Sequence, residues 1–429
     1  MEKKILIVGT QPYNRNIQSR AFESYFHNFK KENLRQIFSS RNIPPRGHCE
    51  SLYQITDERL IKRRFNKKTN VGKIFNYDDL QDAPVILNTA LSKVSNAKGP
   101  LQRLIRKLIW KKKYWLTDSL EKWVDEFKPD IIFIAWSNDF FILKIAEYFS
   151  KKLSIPIISC IGDDYILNKH FSLSPFYHIY NHKYSKLAGR LLTNKSNGCI
   201  YVDDKIKNAY NLHFNINGST VHIASEKPYK SFEKPATVKK FSYFGNLAYC
   251  RYKSLYSAAD ISKKLNLGFE FDVYSNQPSK KVTRLFARLD NIHFKGTIPY
   301  SEIDNRVSLS DVVLIVESLD DKNSIRDVKY SLSTKVADSL SYGKIVLGIG
   351  NKETGAMNYL IRNKCALVAT SKKELEDILV HLKDDNLELS SIMSRAQKVF
   401  NEDFSLNNSC ALFEREIDKI VEEKVKRNE

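Results

Sequence analysis

The feature that most constrains this chain is an alternation. Short β-branched and aromatic runs, "KILIVG" (4–9), "DIIFIAWS" (130–137), "PIISCIG" (156–162), "GCIYVD" (198–203) and "VHIAS" (221–225), are separated by longer amphipathic segments. Uninterrupted apolar runs of this length suit strands buried on both faces, and the segments between them supply the helical crossovers of βαβ units. The pattern breaks at "EKPYKSFEKPATVKK" (226–240), which holds two prolines, five lysines and no apolar periodicity. It then restarts with "FSYFGN" (241–246), "FEFDVYS" (269–275), "IHFKG" (292–296), "VVLIVES" (312–318), "KIVLGIG" (344–350) and "CALVAT" (365–370). The restart predicts an α/β chain of two doubly wound domains, residues 1–228 and 239–405, with a helix over 406–429 that can cross back to the first. Ligands of open parallel sheets bind at the carboxyl ends of the strands, so the residues just after each run carry the functional argument, and the cleft between tandem domains is the expected site.

Length agrees: 429 residues are too many for one compact core. Lys and Arg number 69 against 49 Asp and Glu, a net charge of +20 that calls for an acidic partner: nucleic acid, an anionic membrane surface or a phosphorylated ligand. The six cysteines have no C-x-x-C spacing, which argues against a zinc site or a disulfide framework and fits a reducing cytoplasm. "MEKKILIVG" reads as a first strand, not a signal peptide. No run approaches the ~20 apolar residues needed to cross a bilayer.

In the second half, "FGNLAYCRYKSL" puts Gly245 and Asn246 at a strand's end and Arg251 and Lys253 at the start of the next helix. A glycine there lets backbone approach a ligand, and two cations near a helix start suit a diphosphate; a tight turn before a solvated basic helix has the same pattern. In "STKVADSLSYGK" (333–344), Ser333 or Thr334 can cap a helix and Gly343 can end it. Lys335 is misplaced in that grammar, because a cation in the first turn opposes the helix dipole. A phosphate bound beside it reverses the cost, and Asp338, one turn on, can then accept the hydroxyls of a ribose. "GIGNKETG" lacks the spacing of a dinucleotide loop.

The pieces "YFGN" with Arg251 and Lys253, "IHFKGTIPYSEI", "SDVVLIVES", "STKVADSLSYGKIVLGIG" and "SRAQKVFNEDFS", in this order over roughly 240–405, resemble glycosyltransferase family 4 of the GT-B fold, of the kind that builds bacterial capsule, O-antigen and exopolysaccharide. The resemblance implies two Rossmann-like domains facing across a cleft, a nucleotide-sugar held by the second, a metal-independent and retaining transfer, and no cofactor. It implies that Arg251 and Lys253 hold the donor diphosphate and that Asp338 stands where the family has a ribose-binding glutamate. The chain departs from the family at Ser333, where a proline is usual, and at Tyr330, where many members carry a second glutamate.

In the first half, the loop "GTQPYNRNIQSRAF" offers Gln11, Asn14, Asn16 and Arg20 as acceptor contacts or as an ordinary polar loop. "CIGDDYILNKH" sets Asp163 and Asp164 at a strand's carboxyl end, where one can act as a base for an acceptor hydroxyl, or cap a turn. His178 and His182 lack the glutamate of a zinc motif. "GPLQRLIRKLIWKKKYWL" (99–116) reads as a helix with Leu101, Leu104, Ile105, Leu108 and Trp115 on one face. Arg103, Arg106, Lys107 and Lys111 lie on the other, with Trp110 and Tyr114 among them. Rings beside cations suit an anionic membrane surface; a core-facing helix and a stacking nucleic-acid surface share the pattern. Together these features predict a cytoplasmic glycosyltransferase, peripheral at the inner face of the cell membrane. It passes a sugar from a nucleotide-sugar to a lipid-linked or free saccharide and binds no nucleic acid. The alternatives are a GT-B epimerase or phosphorylase, and a basic nucleic-acid-binding protein.

Overall fold

A computed structural model describes residues 3–13, 20–42, 46–80, 99–168, 172–385 and 387–428. The chain divides into two compact units, Met1–His222 with Ser409–Glu429, and Ile223–Asn408. The first is built on β1 (Ile5–Val8), β2 (Leu34–Phe38), β3 (Ser51–Ile55), β4 (Gly72–Asn76), β5 (Ile131–Ala135), β6 (Ile157–Ile161), β7 (Gly198–Tyr201) and β8 (Ser219–Thr220). Their order across the sheet is β4-β3-β2-β1-β5-β6-β7-β8. All pairs are parallel except β3 with β4.

Three of these strands, β2 to β4, have no counterpart in the apolar runs. The reason is visible in β2, "LRQIF", and β3, "SLYQI", each of which carries a buried glutamine. Gln36 accepts from the Tyr13 backbone N–H (2.6 Å) and donates to Gln11 O (2.8 Å). Gln54 donates to Ser40 O (2.8 Å). With their amides satisfied, polar side chains are tolerated inside a sheet that an apolar-run criterion passes over. At the far edge the opposite error occurs: "VHIAS" is not a strand. Pairing ends at Thr220, and the buried His222 ring bonds Val202 O (2.8 Å) as the chain leaves the sheet.

The helix Leu406–Asn428 sends Phe413, Ile417 and Ile420 into the first unit's core. Phe413 packs edge-on against Phe26 (5.2 Å between centroids) and Phe133 (5.7 Å). Gly198 is required at the start of β7 because a Cβ there would overlap Ile420.

The second unit has six parallel strands, β9 (Lys240–Phe244), β10 (Glu270–Tyr274), β11 (Ile292–Gly296), β12 (Val312–Val316), β13 (Ile345–Ile349) and β14 (Leu367–Ala369), in the order β11-β10-β9-β12-β13-β14. Residues 223–238 pack on this unit: Ser225 N–H donates to Phe404 O (2.9 Å) and Lys230 N–H to Ser341 O (2.7 Å). Among the described residues no helix is long and apolar enough to cross a membrane. All six cysteines are free.

Candidate active site

Strand order in the second sheet reverses between β9 and β12, the place where open parallel sheets hold their ligands, beyond the ends of those two strands. β9 is followed by Gly245 and Asn246, and β12 by Glu317. The helix Arg251–Lys264 starts beside them. Its first residue turns back into the sheet: Arg251 is buried, donating through Nε (3.0 Å) and Nη2 (2.9 Å) to the two oxygens of Glu317 and through Nη1 to Asn246 Oδ1 (2.7 Å). Burial works against the guanidinium's charge, Glu317 more than restores it, and its pKa ends above the ordinary value.

The helix Lys335–Ser341 begins on the same side. Lys335 is its first residue, and its ammonium reaches back to Tyr243 Oη (3.4 Å), over that ring (5.2 Å to the centroid), and into the space that a Cβ on Gly245 would occupy. Gly245 is thus a glycine because Lys335 lies against it. Among the described residues Lys335 has no carboxylate at ion-pair distance. Burial, helped by Arg251 and opposed by Glu317, pulls its pKa down to about 8.

The expected donor residues are therefore brought together unevenly. Gly245, Asn246, Arg251 and Lys335 form one cluster with Tyr243 and Glu317. Lys253 is exposed, and its charge acts on Asp321. Ser333 Oγ accepts from Lys335 N–H (3.4 Å), while Thr334 is exposed and its side chain makes no cap. Asp338 is half-buried, and its Oδ1 accepts from Ser225 Oγ (3.1 Å). Glu317 was not singled out from the sequence. An acid directly after the strand at the sheet's reversal was the available signal.

In the first unit Asp164 takes the second of the two roles open to it, that of capping a turn. Asp164 is a loop anchor: its oxygens accept from the N–H groups of Ile166 (2.9 Å), Leu167 (2.8 Å) and Asn168 (2.6 Å) and from Tyr210 Oη (2.8 Å). A carboxylate so fully engaged is a poor base for a hydroxyl; Asp163 beside it is exposed. In the helix Pro100–Ile109 and its surroundings the two faces are mixed: Trp115 is buried as expected of the apolar face, but Leu101, Ile105 and Leu108 of that face are exposed. Arg106 turns inward, between Asp57 (3.0 Å) and Asp139 (2.5 Å). Trp110 is buried, stacked on Phe141 at 3.7 Å and donating to Asp57 Oδ1 (2.5 Å). Arg103 lies over Tyr180 (5.9 Å) and Lys107 over Phe140 (4.3 Å). Lys111 is exposed and Tyr114 half-buried. Burial and Asp57 raise the pKa of Asp139, against the pull of Arg106. In the loop after β1, Gln11 is exposed with its backbone held by Gln36, and Arg20 opens the helix Arg20–Phe26. Asn14 and Asn16 lie outside the described residues. Among the described residues no group of three His, Cys, Asp or Glu is placed to hold a metal ion.

No family model matches the sequence, and no curated protein matches it either. Solved structures do. HepE of Anabaena in complex with UDP and glucose matches at a TM-score of 0.60 with 12% identity, over 97% of this chain and 100% of that one. TarM matches at 0.58 with 10% identity, over 97% and 99%. TarM of S. aureus bound to fondaparinux, α-GlcNAc-glycerol and UDP matches at 0.56 with 10% identity, over 98% and 100%. These are GT-B structures, and GT-B is the fold of this chain.

Proposed function

We propose that the protein is a glycosyltransferase that takes its sugar from a nucleotide-sugar held in the second unit. The observation that carries this reading is Lys335: a largely buried ammonium with no carboxylate partner among the described residues, set where strand order reverses and lying against Gly245, whose missing side chain leaves it room. Such a group is stabilised by an incoming anion, and the diphosphate of a nucleotide-sugar supplies one. During transfer the diphosphate departs with growing negative charge, and a fixed cation in a water-poor site stabilises that charge more than it stabilises the bound donor. Arg251, locked to Glu317 and Asn246, sets the shape of the site and adds positive potential. The solved structures of like fold that contain UDP, UDP-glucose and glucose support the donor class.

The family 4 resemblance extends the proposal. Asp338 takes the ribose and Lys253 the outer phosphate; the transfer is retaining and needs no metal. The acceptor is a saccharide, lipid-linked in surface polysaccharide synthesis, at the cytoplasmic face of the membrane. The first unit binds it, with Gln11, Arg20 and Asp163 as the contacts nearest the strand ends. Titration with UDP-glucose by calorimetry tests the donor site: binding by the wild type and loss in Lys335→Ala is expected, and equal binding by both overturns the assignment.

A further inference from the structure

The inward turn of the cations leaves the outer face of the helix Pro100–Ile109 apolar. Leu101 (46%), Ile105 (49%) and Leu108 (49%) are exposed at i, i+4 and i+7. The neighbouring helix Pro175–Leu192 exposes Phe176 and Ile179, one turn apart. These two helices touch, so the five side chains stand on adjoining elements of the first unit. A helix that turns Arg106 toward protein and shows leucine to solvent is the reverse of an ordinary surface helix, and exposed apolar side chains gathered in one region mark a contact surface.

Charge says what the contact is. Beside the apolar face is a cavity of about 400 Å3 floored by Trp110, Trp115, Phe140 and Tyr148. Lys107, Lys111 and Lys112 stand over it, Lys107 above the Phe140 ring (4.3 Å) and Lys112 above Tyr148 (4.1 Å). None of the three has a carboxylate at ion-pair distance among the described residues, whereas Lys144 and Lys151 on the same rim are both paired with Glu147. Apolar side chains next to ammonium groups that form no ion pair match a layer of acyl chains under phosphate headgroups.

We propose that the first unit docks on an anionic bilayer through the outer faces of the helices Pro100–Ile109 and Pro175–Leu192, with Leu101, Ile105, Leu108, Phe176 and Ile179 entering the acyl region and Lys107, Lys111 and Lys112 meeting lipid phosphates. This gives the membrane part of the proposed function its contact surface, and it replaces the expected one, in which Trp110 and Arg106 faced the headgroups. It does not depend on the donor site, which lies in the other unit.

Flotation with phosphatidylglycerol vesicles and with phosphatidylcholine vesicles, in the absence of nucleotide, tests it. The wild type floats with the anionic vesicles. Ile105→Gln with Leu108→Gln weakens that binding about tenfold or more, because an interfacial helix is held by its buried apolar area. Lys111→Glu with Lys112→Glu brings binding on anionic vesicles down to the level on neutral ones. All four positions are exposed, so urea unfolding of both variants stays as in the wild type, and Lys335→Ala floats normally. Three results overturn the proposal: flotation unchanged in the apolar variant; a wild-type dimer that the apolar changes convert to monomer, which makes a second copy the occupant; or loss of DNA retention by the lysine variant with vesicle binding intact.

Discussion

The two sheets reverse strand order at corresponding places, between β1 and β5 in one unit and between β9 and β12 in the other, and both turn cations inward near the reversal. The balance differs. Beyond β5, one guanidinium, Arg106, lies between two carboxylates, Asp57 and Asp139. Beyond β12, two cations, Arg251 and Lys335, have one carboxylate, Glu317. The first arrangement is a closed clamp that ties three segments together. In the second, Lys335 is left without a carboxylate at ion-pair distance among the described residues. The same device, an inward-turned cation, is fully paired in one unit and, on the function proposed above, ligand-seeking in the other, and the count of nearby carboxylates separates the two.

The comparison breaks most sharply at Glu317. Glu317→Ala leaves two buried cations without an acid and is expected to lower stability by about 3–5 kcal/mol, read as a urea midpoint shift with unchanged slope. Asp57→Ala costs less, since Arg106 keeps Asp139 and is partly exposed. Next in size is the donor site itself: Lys335→Met is expected to weaken UDP-glucose binding by about tenfold to a hundredfold by calorimetry. The same change is expected to raise the stability of the unliganded protein by about 1–2 kcal/mol at neutral pH, since a charge held at a cost is removed.

The pH dependence sharpens the same point. With its pKa drawn from 10.5 to about 8, Lys335 loses its proton in the folded protein before it does in the unfolded chain. Between those values the unfolded state binds more protons, so this lysine's contribution makes the folded state more stable as pH rises through that window. Anion binding runs the other way. A bound diphosphate raises the lysine's pKa, so affinity is expected to fall by up to about tenfold per pH unit above pH 8, and to lose that slope in Lys335→Met. Smaller again is Gly245→Ala, which displaces the Lys335 ammonium and is expected to cost several-fold in donor affinity, together with some stability, because Gly245 has φ +156°, a backbone conformation that a side chain strains. The smallest effect on turnover is expected for Asp164→Asn, which weakens a loop and lowers stability by about 1 kcal/mol while sugar transfer from UDP-glucose persists.

What the sequence made legible follows from what each residue's neighbours along the chain reveal. Strands that are apolar throughout, such as "DIIFIAWS" and "VVLIVES", stand out because burial on both faces leaves nothing else to read. β2 and β3 do not, because Gln36 and Gln54 find their partners in loops 14 to 25 residues away. Lys335 was legible as a local contradiction, a cation where the helix dipole disfavours one. Glu317 was not, because its meaning depends on Arg251, 66 residues earlier. The helix Pro100–Ile109 shows the limit most clearly. Its amphipathic pattern is plain in the sequence, but a pattern states only that the two faces differ. Which face turns inward was decided by Asp57 and Asp139, on two other elements, whose charges draw Arg106 in and push the leucines out.

The packing of the helix Leu406–Asn428 into the first unit has a consequence for the order in which the protein is made. Phe413 closes an aromatic cluster whose other members, Tyr25, Phe26, Phe29 and Phe133, leave the ribosome some 280 residues or more ahead of it. Until that helix emerges, a set of rings that belongs in a core has no cover, through the whole synthesis of the second unit. Translation therefore yields the second, continuous unit as a finished body before the first, and a chain stopped near residue 408 would show its damage in the half that was synthesised earliest.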